Sequence, residues 1–186
     1  MITHKGTARL ETPRLVLRKC RAEDAQYVFD NWASDPEVTR YMSWPTHTSI
    51  EVTESVIGQW LEEQRSDSFY NWIIVFKESG EPVGLIGAIA NEKDQNADVG
   101  YCLSRRLWGK GFVPEALSAV IDFLFDEVGF EKIKARHCVE NPNSGKVMIK
   151  CGMLHEGTAR RELADGAGAL HDAELYGILK GDRKNQ

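Results

Sequence analysis

Residues 99–111 read Val-Gly-Tyr-Cys-Leu-Ser-Arg-Arg-Leu-Trp-Gly-Lys-Gly, and apolar residues at helical spacing begin directly afterwards with Phe112, Val113, Ala116 and Leu117. A strand that empties through a basic, glycine-containing loop into a helix N terminus is a phosphate-binding arrangement. The first turn of a helix leaves its amides unpaired, and the helix dipole favours negative charge there. Gly109 and Gly111 permit positive φ and close approach of the backbone, while Arg105, Arg106 and Lys110 add positive charge. The same residues also fit an ordinary strand-to-helix turn with solvated basic side chains. The mononucleotide pattern G-x-x-x-x-G-K-[ST] fails, because Ser104 and Gly111 stand at its first and last positions. The dinucleotide pattern G-x-G-x-x-G fails at Pro114.

One pattern does fit. Arg106, Gly109 and Gly111 match R/Q-x-x-G-x-G/A, and this hexapeptide resembles the acetyl-CoA pyrophosphate loop of the GNAT N-acetyltransferases. Three further stretches follow in that family's order. Asp98-Val99-Gly100-Tyr101 resembles the E-I-G-Y strand before the loop. Asn141-Pro142-Asn143-Ser144, followed by Val147-Met148-Ile149-Lys150-Cys151-Gly152-Met153, resembles the N-x-x-S…K-x-G-F/M helix after the fifth strand. Glu11-Thr12-Pro13-Arg14-Leu15-Val16-Leu17-Arg18, with Asp35-Pro36-Glu37-Val38 and Trp44, resembles the opening of the RimJ/RimL branch, which contains ribosomal-protein N-terminal acetyltransferases. The resemblance runs from near Arg9 to near Lys180.

The resemblance implies a GNAT-like acyl-CoA N-acyltransferase fold: an α+β domain with a mixed, mostly antiparallel central sheet flanked by helices. It also implies acetyl-CoA as cosubstrate. Contacts to it are expected from the strand at Tyr101, Cys102 and Leu103, from the loop at Arg106, Gly109, Lys110, Gly111 and Phe112, and from Asn141 and Ser144 at the thiol end. A strand splayed by a bulge near Gly100 to Cys102 would offer amides to the thioester carbonyl and stabilise the oxyanion of acyl transfer. The pantetheine arm would add to the exposed strand edge as a peptide does in β-augmentation.

Asp98 takes the position of the family's strand Glu, a base or water-holder; being one methylene shorter, it favours a bridging water. The 141–152 helix carries no Tyr to serve as general acid, and Ser144 is its available hydroxyl, with a helix-capping role as the alternative. Met42, Trp44 and Tyr176 are expected to line the acceptor cleft, and His137 reads as a satisfied core histidine. A free α-amino group has a pKa near ~8 against ~10.4 for Lys, so an N-terminal amine asks less of a base. The expected acceptor is therefore a protein N terminus, such as that of a ribosomal protein. A polyamine, amino acid or aminoglycoside acetyltransferase, and a non-catalytic CoA-binding module, remain as alternatives. Acceptor choice is placed in segments 34–48 and 163–171.

The elements that must position these residues follow from hydrophobic period. Residues 14–18 read as a strand. Ala25, Val28, Phe29 and Trp32 recur at helical spacing, and Asp35-Pro36 places an N-cap and first-turn proline for a second helix. Thr48 and Glu51 have capping-box spacing before a helix with Val52, Val56, Ile57, Trp60 and Leu61 on one face. Strands follow at 72–76, 83–90 and 99–103, forming an antiparallel meander. The stripe from Phe112 to Val128 makes one long helix closed by Gly129. Ile133, Ala135 and His137 alternate as a strand, Val147 and Met148 belong to a shorter helix ending at Gly152, and Ala173, Leu175 and Leu179 lie in a last strand.

Composition bounds the rest. The 186 residues carry 23 Lys+Arg against 28 Asp+Glu, a net charge of -5, which argues against nucleic acid as partner and suits a cationic one. One domain spanning 1–186 is expected at this length. No apolar run approaches the ~20 residues of a membrane span, and Met1 to Gly6 holds no apolar stretch, so no membrane partner and a cytoplasmic location are expected. Cys20, Cys102, Cys138 and Cys151 lie far apart with no C-x-x-C pair, so they read as buried thiols and no metal is expected. No residue pattern speaks to oligomeric state.

Overall fold

The computed structural model describes residues 2–185. Eight strands form one sheet: β1 (Leu10–Glu11), β2 (Leu15–Arg18), β3 (Tyr70–Phe76), β4 (Pro82–Asn91), β5 (Asn96–Leu103), β6 (Lys132–Cys138), β7 (Leu154–Ala164) and β8 (Leu170–Leu179). Their spatial order is β1-β2-β3-β4-β5-β6-β8-β7. Neighbouring strands run antiparallel, apart from the parallel β5–β6 pair. That pair needs a crossover, supplied by α4 (Phe112–Phe123) and the wider helical turn Leu124–Val128 that continues it. The mixed, mostly antiparallel α+β architecture expected from the sequence is the one found.

Period-two alternation assigns the two faces. Leu15 and Leu17 of β2, with Tyr70, Trp72 and Ile74 of β3, pack with α4 and the later helix α5 (Pro142–Lys150) in one cluster. Val16, Ile73, Val75 and Cys102 point the other way, into a second cluster with Trp32, Val38 and Ile57. These come from the opening helices: α1 (Ala25–Val28) with its continuation Phe29–Ala33, α2 (Pro36–Thr39) and α3 (Ile50–Glu63). Because both faces are covered, β3 is apolar almost throughout. Gly129, at φ 94°, ends the α4 segment as a left-handed cap.

Three expectations need correction. The capping box at Thr48 to Glu51 does not form: Ser49 is the N-cap of α3, without a side-chain cap bond. Val52 is 41% exposed, and Thr53 and Ile57 carry the buried face instead. β7 is a full strand that the hydrophobic pattern misses, because it lies at the sheet edge and reads Leu-His-Glu-Gly-Thr-Ala-Arg-Arg-Glu-Leu-Ala, largely exposed. A charged edge with Gly157 and Arg161 at positive φ resists further pairing, and it carries no apolar alternation to be read. Among the described residues no helix is long and apolar enough to cross a membrane.

Candidate active site

The parallel β5–β6 ladder runs from Asn96↔Lys132 to Val99↔Ala135 and stops there, although both strands continue. Gly100 to Leu103 and Arg136 to Cys138 therefore diverge, and the sheet opens between them. No bulge causes the opening: β4 and β5 stay in one register from Asn91↔Asn96 to Gly84↔Leu103, which corrects the expected kink at Gly100 to Cys102. The Ser104 N–H donates to Val83 O (2.8 Å), so by the alternation of an antiparallel ladder Gly100 and Cys102 turn their amides to β4. Tyr101 and Leu103 turn theirs into the opening. The Leu103 carbonyl is taken by the Trp108 indole N–H at 2.9 Å. Cys102 offers the opening neither amide nor side chain, its thiol being buried among the first helices.

Next to this opening lies the N terminus of α4. Gly109 (φ 75°) and Gly111 (φ 80°) both adopt left-handed backbone, and Gly111 is the N-cap with no side-chain cap bond. Among the described residues the amides of Gly109, Gly111, Phe112 and Val113 find no acceptor in the chain. The turn thus presents a concave set of free N–H groups at the positive end of a helix dipole. Its basic side chains are arranged differently from expectation. Arg106 pairs with Glu81, and Arg105 pairs with Asp35 at 2.9 Å, while Lys110 has no acidic partner among the described residues. Arg14, which sequence reasoning left in a strand, braces the turn: it donates to Lys110 O (3.2 Å), pairs with Glu115 (2.6 Å) and lies 4.1 Å over the Phe112 ring.

α5 covers the other lip. Asn141 is its N-cap, with no side-chain cap bond, at the end of β6. The Ser144 hydroxyl donates to the Tyr101 hydroxyl (3.0 Å), which donates in turn to the Ser144 carbonyl (2.9 Å). Ser144 is therefore no capping residue, and its hydroxyl is joined to a phenol. Burial pushes the Tyr101 phenol far above its ordinary pKa, so it stays protonated. Gly145 lets the helix sit this close, since a Cβ there would lie 2.5 Å from His137 Nε2 and 3.0 Å from Tyr176 Oη. His137 is not the satisfied core histidine expected: Nδ1 contacts Cys138 O at 2.7 Å, but buried Nε2 has no partner. Tyr176 is 8% exposed and stacked on His137 beneath α5, so it stands apart from Met42 and Trp44.

Asp98 sits between Ala97 and Val99 of the α4–α5 core and so projects to the opposite face, with Lys134 opposite it on β6. Arg136 Nε lies 3.6 Å from its carboxylate, and Arg136 also pairs with Glu162 of β7 at 3.1 Å. Burial raises the Asp98 carboxyl above the usual range, Glu162 adds to this, and Arg136 and Lys134 pull against it. Burial likewise pushes the Cys102 thiol up to about 12 and raises that of Cys151, so neither is a ready nucleophile.

The two segments expected to choose the acceptor meet. A Cβ on Gly166, at the β7–β8 tip, would come within 2.4 Å of the Trp44 carbonyl carbon, so tip and 44–45 backbone are in contact. The Tyr41 and His171 rings stand edge to face at 6.3 Å. Met42 and Trp44 are half-buried here, against the cluster that holds Cys102 from the divergent end of β5. The Tyr101–Ser144 pair, Gly145 and Arg14 were missed as a working group because their partners lie far off in sequence.

The profile described as acetyltransferase (GNAT) domain matches residues 14–154. An uncharacterized N-acetyltransferase of Bacillus licheniformis is 33% identical over 172 residues, spanning 92% of this chain and 96% of its own length. The ribosomal-protein-serine acetyltransferase of Escherichia coli is 27% identical over 140 residues, 73% of this chain and 75% of its own. A microcin self-immunity acetyltransferase, solved in complex with acetyl-CoA and AMP, superposes with a TM-score of 0.80 at 21% identity, covering 90% of this chain and 93% of that one.

Proposed function

The chain belongs to the GNAT acetyltransferase family and is an N-acetyltransferase, and we propose that it moves the acetyl group of acetyl-CoA directly to the free α-amino group of a protein N terminus. The observation that carries this reading is the opening of the sheet past Val99↔Ala135, flanked by the uncapped N terminus of α4. The amides of residues 109 and 111–113 would hold the pyrophosphate, with Lys110 as the added cation. Tyr101 and Leu103 would pair their amides with the pantetheine arm and with the oxygen of the thioester carbonyl. Arg106 joins them only by leaving Glu81, an exchange that is cheap for a half-exposed ion pair. Asn141 and Ser144 stand at the lip where the thiol would lie.

Acetyl-CoA supplies an acyl group activated as a thioester. The chain must take one proton from the incoming amine and provide one to the departing sulfur. Asp98, on the acceptor side, takes the first directly or through water. Ser144 gives the second and regains a proton from solvent, while the Tyr101 O–H, turned toward the Ser144 oxygen, stabilises that oxygen in between. The acceptor enters past Met42 and Trp44, under the β7–β8 tip. The net charge of -5 suits a basic partner such as a ribosomal protein, in agreement with the relative that acts on one.

The test is a turnover screen with acetyl-CoA on unblocked peptides of varied first residue, beside N-terminally blocked peptides containing Lys, polyamines and aminoglycosides. Turnover confined to unblocked peptides is expected. Turnover on small amines alone would replace the protein acceptor, and tight CoA binding without turnover on any amine would favour a regulatory module.

A further inference from the structure

Three donor groups of different chemistry converge at the end of β6. The Cys138 thiol, the Glu140 carboxylate and the His171 imidazole each bring one ligand atom, and all three atoms lie within 4.8 Å of one another. Their meeting is built into the sheet. Cys138 pairs with Ala173, and the Val139 N–H donates to Asp172 O at 3.1 Å, so the next step of the ladder sets Glu140 across from His171. Cys138 and Glu140 are two residues apart and share that face. His171 Nε2 is held by Asp165 Oδ2 at 2.9 Å, while Nδ1 stands 3.8 Å from Glu140 Oε2.

We propose that Cys138, Glu140 and His171 form a divalent-cation site of the zinc type, with Asp165 fixing the imidazole. An imidazole whose far nitrogen is bound by a carboxylate is the usual partner arrangement of a metal-bound histidine. Tetrahedral zinc with bonds of ~2.0–2.3 Å sets neighbouring ligand atoms ~3.4–3.6 Å apart, a closure of at most ~1.4 Å from the 4.8 Å within which the three atoms lie. Charge points the same way: among the described residues, Glu140 and Asp165 have no ion-pair partner except His171. A thiol and an imidazole are poor hosts for an ammonium group and good ones for a borderline-soft metal. Cys138 would bind as thiolate, its proton leaving to solvent, and a water would fill the fourth position. The cation would tie the end of β6 to β8 beneath the tip that packs on Trp44. The inference stands apart from acetyl transfer.

The experiment titrates zinc chloride into the tag-free full chain by calorimetry and cobalt chloride by absorption spectroscopy, each alone. One metal per chain is expected, with a thiolate-to-cobalt charge-transfer band. Cys138→Ser should abolish the band and weaken zinc at least about 100-fold, and Asp165→Asn should weaken it about 10- to 100-fold. Should Cys138→Ser fail to fold, Glu140→Gln at an exposed position serves, with a loss of at least about tenfold. Zinc should raise the melting temperature of the parent alone. No stoichiometric uptake by the parent, or undiminished uptake in these variants, would overturn the site.

Discussion

Asp98 and Ser144 address the opening from opposite faces of the sheet, so the two proton transfers can be separated by mutation. The Asp98 carboxyl is raised by burial, and only its ionised form accepts a proton, so the acid limb of kcat/KM should lie above the ~3.9 of an ordinary Asp. Asp98→Asn should remove that limb, with the largest defect where the amine is still protonated and a shrinking one as pH approaches the amine pKa. Stability should move the other way. A carboxyl whose pKa is raised on folding loses stability as pH rises through the folded pKa, so Asp98→Asn should melt no lower than the parent at neutral pH. A uniform, pH-independent loss with a lowered melting temperature would make the residue structural.

Ser144→Ala should cost about 10- to 100-fold in kcat, with little dependence on amine basicity, because thiolate is already a fair leaving group. Tyr101→Phe should cost less, and the double variant should be no worse than Ser144→Ala, since the two hydroxyls form one hydrogen-bonded unit. Additive losses in that cycle would separate them. The roles of Asp98 and Ser144 were suggested by local motif, whereas the Ser144–Tyr101 bond spans 43 positions and had no sequence signal.

At the scale of elements, the turn into α4 should act through its backbone. Gly111 is left-handed at φ 80°, and a β-branched side chain there is strained and obstructs the free amides. Gly111→Val should weaken acetyl-CoA by at least tenfold, about 1.4 kcal/mol, in calorimetry, with β-sheet content retained by circular dichroism. Unchanged affinity in the folded variant would detach the phosphates from this turn. Local spacing made this element legible: two glycines and three basic residues fall within positions 105–111, and an apolar stripe follows directly. The opening itself was legible only by resemblance, and its cause was misread, since strand divergence is a property of the β5–β6 pair rather than of residues 100–102. β7 was hidden because an exposed edge strand has no buried face to impose alternation.

Across the whole molecule the sheet is a partition. α4 and α5 lie on the face that carries Tyr101 and Ser144; α1 to α3, Trp44 and Asp98 lie on the other, and the gap beyond Val99 joins them. Two substrates can then occupy opposite faces together, while burial holds Cys102, Cys138 and Cys151 as high-pKa thiols. The measurement that tests this most directly is an initial-rate study with acetyl-CoA and an unblocked peptide both varied. Double-reciprocal lines that intersect, with no acetylated protein on incubation with acetyl-CoA alone, are the expected result. Parallel lines, with an acetyl-enzyme recovered by mass spectrometry, would contradict direct transfer through the opening.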